Sequence, residues 1–248
     1  MKKRVQLIDE LRGLAIILMI IYHFIYQYVL WMSSNSKILD NIIIEGIRLG
    51  AEFLFITISG ISSSFSRNNF RRGLICVYLG IFITVVTYIF VPRELISFGI
   101  LHFLGISIIF YELLIDRIRK ITPNRGLVLS LILFIVTYVV LYEGSYLKER
   151  MKLSWIINLK NNGYLNFIGI KSNSFISSDF FPIIPWFFLF LSGGFIGEKI
   201  KKIDKIKDEN KIEFLIFLRW LGRNSLLIYM THIPIIIGII FFIKYIVL

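Results

Sequence analysis

The sequence predicts an all-α integral membrane protein, a bundle of about seven transmembrane helices (eight if residues 212–222 insert) with a cytoplasmic N-terminus. Three observations predict it. The 248-residue chain is 56% hydrophobic, with a mean hydropathy of +0.76. Near-continuous apolar runs of about 18 residues recur along it, the length a bilayer demands of a helix, and helix is the form because backbone polar groups in lipid must be satisfied within the segment. Basic residues cluster at alternate ends of those runs. The net charge of +12 therefore reads as membrane orientation, not as nucleic-acid binding. The single cysteine, Cys76, excludes an intrachain disulfide and a cysteine-based metal site. Residues 1–248 read as one membrane-embedded domain, multi-pass in the cell membrane, whose oligomeric state the sequence leaves open.

The first span is roughly 8–31. Its start, MKKRVQLIDELRG, resembles the charged head of a signal peptide, but Asp9, Glu10 and Arg12 interrupt it and no small-x-small cleavage site follows, so the span reads as retained. The second, roughly 50–66, opens at Glu52, and the third, roughly 73–91, follows Arg71 and Arg72. The fourth, roughly 95–115, carries His102 between Gly99 and Gly105, small surfaces where helices or a ligand approach closely. The fifth, roughly 126–142, leads into a long loop, 143–179, rich in Gly, Asn and Ser, with an amphipathic turn near Trp155. The sixth, roughly 180–198, follows Asp179 and contains Pro182 and Pro185. Residues 199–223 begin as a Lys/Asp/Glu run and end in EFLIFLRWLGR, which suits a short interfacial helix. The seventh span, roughly 224–246, holds His232 and Pro234.

Charge sets the direction. With the N-terminus inside, the cytoplasmic segments collect Lys2, Lys3, Arg4, Arg67, Arg71, Arg72, Arg117, Arg119, Lys120, Arg125 and the basic residues of 199–223. The other side receives Lys37, Arg48, Arg93, Lys244 and five in the 143–179 loop. Every short connection obeys the positive-inside rule.

The three histidines of the chain, His23, His102 and His232, all fall within or at the edge of apolar runs. An ionisable group in lipid costs several kcal/mol unless paired or wetted, so each is a functional candidate. Histidine also exchanges a proton near neutral pH. Asp9 and Arg12 are three apart, the spacing of an ion pair on one helix face. Arg12 and His23 are eleven apart, about 1,100° of helical rotation, so they share a face about 16 Å apart. Interfacial anchoring accounts for Arg12 by itself but not for His23. Counting from Leu95, His102 lies roughly 10 Å into its span. His232 is followed by Pro234, which frees a backbone carbonyl for it. Arg223, Asn224 and Ser225 precede the last span, where a helix N-terminus suits an anion or simple capping by Asn224. Glu52, Glu94 and Asp179 are acids at the outer ends of spans; Asp179 reads either as the N-cap of the sixth helix or as the carboxylate that orients a histidine base. The sequence shows no phosphate-binding glycine loop, metal-ligand spacing or nucleophile elbow.

In the order RVQLIDELRGLAIILMIIYHF, FLFITISGISSS, FGILHFLG, SSDFFPIIPW and LGRNSLLIYMTH, the chain resembles the bacterial branch of the heparan-alpha-glucosaminide N-acetyltransferase catalytic domain over nearly its whole length. The resemblance implies a transmembrane acyltransferase that takes an acyl group, acetyl foremost, from cytosolic acyl-CoA and delivers it to a carbohydrate or envelope glycan on the far side. The arginine, ten residues, then histidine from Arg12 to His23 is also similar to the motif of the wider acyltransferase-3 group, whose histidine is taken as catalytic. The lysosomal members carry an asparagine where His23 stands and place their catalytic histidine in the following luminal loop; residues 32–49 here contain no histidine, so His23 takes the role.

The resulting expectation places acyl-CoA, with no metal, near Arg12, Arg71, Arg72, Arg223 and Asn224, and makes His23 the base with His102 or Asp179 orienting it. Asp9, Glu52 and His232 are supporting candidates. Two readings from other classes stand beside it: a small-solute or proton-coupled transporter with a histidine relay, and a non-catalytic membrane partner of the same fold.

Overall fold

In the computed structural model the described residues are 6–33, 35–141, 163–169, 172, 175–202 and 213–247. They form eight α-helices: α1 (Gln6–Met32), α2 (Ile42–Phe65), α3 (Asn69–Phe90), α4 (Ile100–Lys120), α5 (Pro123–Leu141), α6 (Ile183–Ile200), α7 (Glu213–Arg223) and α8 (Ser225–Val247). Short 3-10 turns lie at Ser36–Ile38, Pro92–Glu94 and Gly163–Ile168. The helical fold read from the sequence is the one observed. Helices α1, α3, α5, α6 and α8 are long and apolar enough to cross a membrane. Helices α2 and α4, at 24 and 21 residues, have the length but lack an 18-residue stretch that is both apolar and charge-poor enough. Helix α7 has 11 described residues, about 16 Å, against a hydrocarbon core of about 30 Å. Large apolar side chains such as Phe82, Tyr88, Phe90, Ile132, Ile135, Phe242 and Ile246 stand exposed along α3, α5 and α8. On a water-soluble protein such faces would be anomalous; on a membrane protein they face lipid.

Two boundaries move relative to the sequence reading. Helix α2 starts at Ile42, so Glu52 lies in its third turn instead of opening it. Helix α4 starts at Ile100, and Leu95–Gly99 are not helical, so His102 sits in the first turn, not 10 Å along a span. The apolar stretch from Leu95 to Phe98 uses its backbone elsewhere: Ser178 N–H donates to the Leu95 carbonyl (2.9 Å) and Phe181 N–H to that of Phe98 (3.0 Å). The amphipathic turn expected near Trp155 and the charged run 203–212 lie outside the described residues.

The helices gather into two compact units, Met1–Ile58 with Asp204–Leu248, and Ser59–Ile203. In the first, α1 packs along α7 and α8. Lipid supplies no hydrophobic drive between helices, so close backbone approach at small residues does the work. At the α1–α7 crossing a Cβ on Gly13 would run into the Leu218 carbonyl, and one on Gly222 into the Asp9 carbonyl. Farther along α1, Trp31 packs on Phe241 of α8 (ring centroids 5.2 Å) and donates its Nε1–H to Gln27 (2.9 Å).

In the second unit α5 packs on α6, α3 on α4, and α4 on α6. Gly73 and Gly105 bring α3 and α4 into backbone contact, and Gly126 receives the Phe195 ring. The end of α2 seats Gly60 against the Phe190 carbonyl of α6, while Gly197 of α6 sits over Ser64. Trp186, 2% exposed, centres an aromatic cluster with Phe134, Tyr138 and Phe181. The motifs that carry the sequence resemblance thus interlock in pairs: DELRG with LGRN, SGISSS with α6, and FGILH with SSDFF.

Candidate functional site

Helix α1 carries two successive features of the first unit. At its start, Asp9 is 3% exposed and faces two arginines. Arg12 Nη1 donates to its Oδ1 (3.2 Å) and also to the Gly222 carbonyl (3.3 Å); Arg223 Nε donates to its Oδ2 (3.4 Å). Glu10 accepts from Arg219 Nε one face over (2.7 Å). The Gly222 carbonyl lies at the C-terminal end of α7, where unpaired carbonyls favour a cation. The sequence spacing anticipated the Asp9–Arg12 pair; it did not show that both groups are held by the far end of the chain. Arg12 is mostly buried and committed to protein partners, whereas the Arg223 side chain is 50% exposed. Asn224 donates its Nδ2–H back to the Trp220 carbonyl (2.9 Å), so its side chain closes α7 and does not cap α8.

About 16 Å along α1 from Arg12, His23 meets His232 of α8, with ring centroids 4.9 Å apart. The Nδ1–H of His232 donates to the Tyr229 carbonyl (2.6 Å). That is the i−3 carbonyl, not the Met230 carbonyl that Pro234 leaves without its helical donor. The bond places the proton on Nδ1 and leaves the Nε2 lone pair of this buried ring with no partner among the described residues. Tyr22 packs edge-on against His23 (5.5 Å) and lies tilted beside Tyr26 one turn on (6.2 Å). In α2, Arg48 grips Glu45 through both Nε (2.8 Å) and Nη2, and Glu52 through Nη1 (2.5 Å). Glu52 therefore serves an ion-pair network within α2, one that includes Arg48, a residue the sequence reading used only for orientation.

His102 and Asp179 belong to the second unit. Asp179 Oδ2 accepts from the Ile100 N–H (3.1 Å), so it caps α4 across the fold; its own helix, α6, has Pro182 at its N-cap position and no side-chain cap. The N-cap reading was right in kind and wrong in helix. His102 stacks on Phe98 (5.5 Å), fills the space left by Gly80, and places Nε2 3.4 Å from Thr84 Oγ1. Its buried Nδ1 has no partner among the described residues. Arg71 is exposed at the start of α3, and Arg72 donates to Asn69 (3.2 Å), which in turn donates to Glu112 (2.8 Å) and to the Ser63 carbonyl (2.9 Å). Among the described residues no group of three or more His, Cys, Asp or Glu is placed to hold a metal ion.

Helix α1 therefore presents a charged cluster near its start and, beyond its middle, a histidine that meets His232 of α8. A buried imidazole with a free lone pair is a proton acceptor, and arginines near a helix end are anion sites. Comparison with curated proteins and with solved structures returned no match. Residues 4–234 match the family described as heparan-alpha-glucosaminide N-acetyltransferase, catalytic, and the DELRG, histidine and LGRN segments all lie within the match. The chain belongs to this family of membrane acetyltransferases.

Proposed function

We propose that the protein transfers an acyl group, acetyl foremost, from cytosolic acyl-CoA to a hydroxyl or amine of an envelope sugar on the opposite side. In this reading α2 and α4 complete a seven-span bundle with the N-terminus inside. The observation that carries the chemistry is the His23–His232 pair, two rings from opposite ends of the chain brought to 4.9 Å, with His23 on the helix that also bears Arg12.

Acyl-CoA supplies the activated thioester. Its phosphates need cations, and the half-exposed guanidinium of Arg223 fits that need, with Arg71 as a further exposed candidate. Arg12 acts at one remove: it holds Asp9 and the end of α7, and so sets where Arg223 stands. His23 takes the proton of the acceptor O–H or N–H while the acceptor atom bonds to the acyl carbon; the C–S bond breaks and the thiolate leaves. His232, its Nδ1 fixed on the Tyr229 carbonyl, offers Nε2 beside His23 to share or receive that proton. The relevant experiment incubates inverted vesicles with radiolabelled acetyl-CoA and fractionates the envelope. Label in a glycan fraction, dependent on the protein, supports the reading; label that stays with CoA in vesicles rich in folded protein removes it.

A further inference from the structure

A cavity of about 280 Å³ opens at the C-terminal end of α1, between that helix and the Ser36–Ile38 turn. Tyr26, Val29, Leu30, Ser33, Ser36 and Leu39 line it. Its volume lies just below the roughly 300 Å³ at which sites for drug-sized ligands begin, so it suits a single ring and not an oligosaccharide. Its lining combines one aromatic face, three aliphatic side chains and three hydroxyls, all uncharged. That combination matches the two surfaces of a pyranose, whose C–H face packs on an aromatic ring while its rim of hydroxyls takes hydrogen bonds.

The cavity also has a physical link to the histidines. Tyr26 is in its wall, the Tyr26 ring lies tilted beside Tyr22 (6.2 Å), Tyr22 packs edge-on against His23 (5.5 Å), and His23 meets His232 (4.9 Å). Tyr26 and His23 are three residues apart on one helix, a rise of about 4.5 Å. A ring held against Tyr26 is therefore within one helical turn of the imidazole pair, while Arg12 lies about 21 Å back along the same helix. We infer that this cavity is the acceptor subsite and that it takes one uncharged pyranose residue presenting a hydroxyl. The inference rests on the acyl-transfer reading for its purpose, but not for the binding it predicts. An ammonium or carboxylate on the sugar would enter a described lining that offers no opposite charge, so neutral sugars are favoured.

The test uses the full chain in a sugar-free detergent, with methyl β-D-glucopyranoside as probe and the corresponding glucosaminide and glucuronide as comparators. Calorimetric titration should show saturable binding of the neutral glycoside and weaker binding of both charged ones. Tyr26→Ala should weaken it about tenfold, the loss of an aromatic contact, and Ser36→Trp should abolish it by filling the cavity. Tyr26→Phe, which keeps the ring and the fold, should stay within about threefold of wild type. In acetyl transfer the Ala and Trp variants should raise the KM for the glycoside and leave that for acetyl-CoA unmoved. Wild-type glycoside binding in both Tyr26→Ala and Ser36→Trp, with wild-type thermal unfolding, overturns the subsite, as does tighter binding of either charged comparator. Binding that follows these variants without any acetyl transfer would instead overturn the acyltransferase reading and leave the subsite standing.

Discussion

Arg12→Ala separates an arginine that binds substrate from one that holds helices together. Arg12 Nη1 donates to the Asp9 carboxylate at 3.2 Å and to the Gly222 carbonyl at 3.3 Å, joining α1 to the end of α7. Hydrogen bonds to charged groups are worth about 1.5–3 kcal/mol each. Both distances exceed the 2.7–2.9 Å usual for charge-assisted bonds, so the lower end applies, about 3 kcal/mol for the two. The variant also leaves the buried Asp9 with a long, 3.4 Å contact to Arg223. For a chain of 150–250 residues, about 3 kcal/mol corresponds to a fall in Tm of roughly 6–12 °C. Arg223→Ala removes a half-exposed side chain making one long bond and should cost less than about 1 kcal/mol, or under 4 °C. If the proposal is right, the two variants differ in kinetics in the opposite sense: Arg223→Ala raises the KM for acetyl-CoA several-fold at little cost in Tm. Thermal unfolding in detergent reads the Tm, its CoA-induced shift reads donor binding, and initial rates against acetyl-CoA read the KM. A wild-type Tm in Arg12→Ala, or a larger loss from Arg223→Ala, would refute the assignment of Arg12 to the helix junction.

His23→Ala should abolish transfer while expression and unfolding temperature stay near wild type; His232→Ala should lower kcat at least tenfold with little change in KM, and activity within a few-fold of wild type in either variant would take that ring out of proton transfer. Asp179→Ala should cost about 1 kcal/mol by uncapping α4, and Asp179→Ser, which keeps a capping oxygen, should recover most of it; if Asp179→Ser is stable yet inactive, the carboxylate has a role beyond the cap. For orientation, Arg67 and Lys37 are both exposed, whereas Asn69 is buried and bonded and would be a poor labelling site. In a Cys76→Ser background, Lys37→Cys should react with an impermeant thiol reagent in intact cells and Arg67→Cys should not; the reverse pattern would invert the topology.

Long apolar runs made most helices legible, because lipid demands length and composition together. The fourth helix was misplaced because an apolar run does not distinguish helix from the extended Leu95–Phe98 segment, whose carbonyls take their donors from residues 178 and 181. The start of α2 was missed for the opposite reason: the span was opened at Glu52, since the charges of Glu45 and Arg48 interrupt the apolar pattern before it, yet the three form ion pairs on successive helical turns. Asp9 with Arg12 was visible as a pair three residues apart. The partnership of His23 with His232, and of Asp9 with Arg223, was not, since no local periodicity connects opposite ends of a chain. Gly13 and Gly222 signal that junction only once their backbones are seen to touch.

The central claim is that the histidine pair on α1 and α8 performs acyl transfer. Proteoliposomes with radiolabelled acetyl-CoA on the Arg12 side and methyl β-D-glucopyranoside enclosed on the other test it most directly. The account predicts labelled acetyl-glycoside inside vesicles of the wild-type protein and background counts for His23→Ala at equal incorporation. Equal labelling by the two proteins, or none by the wild type, would contradict it.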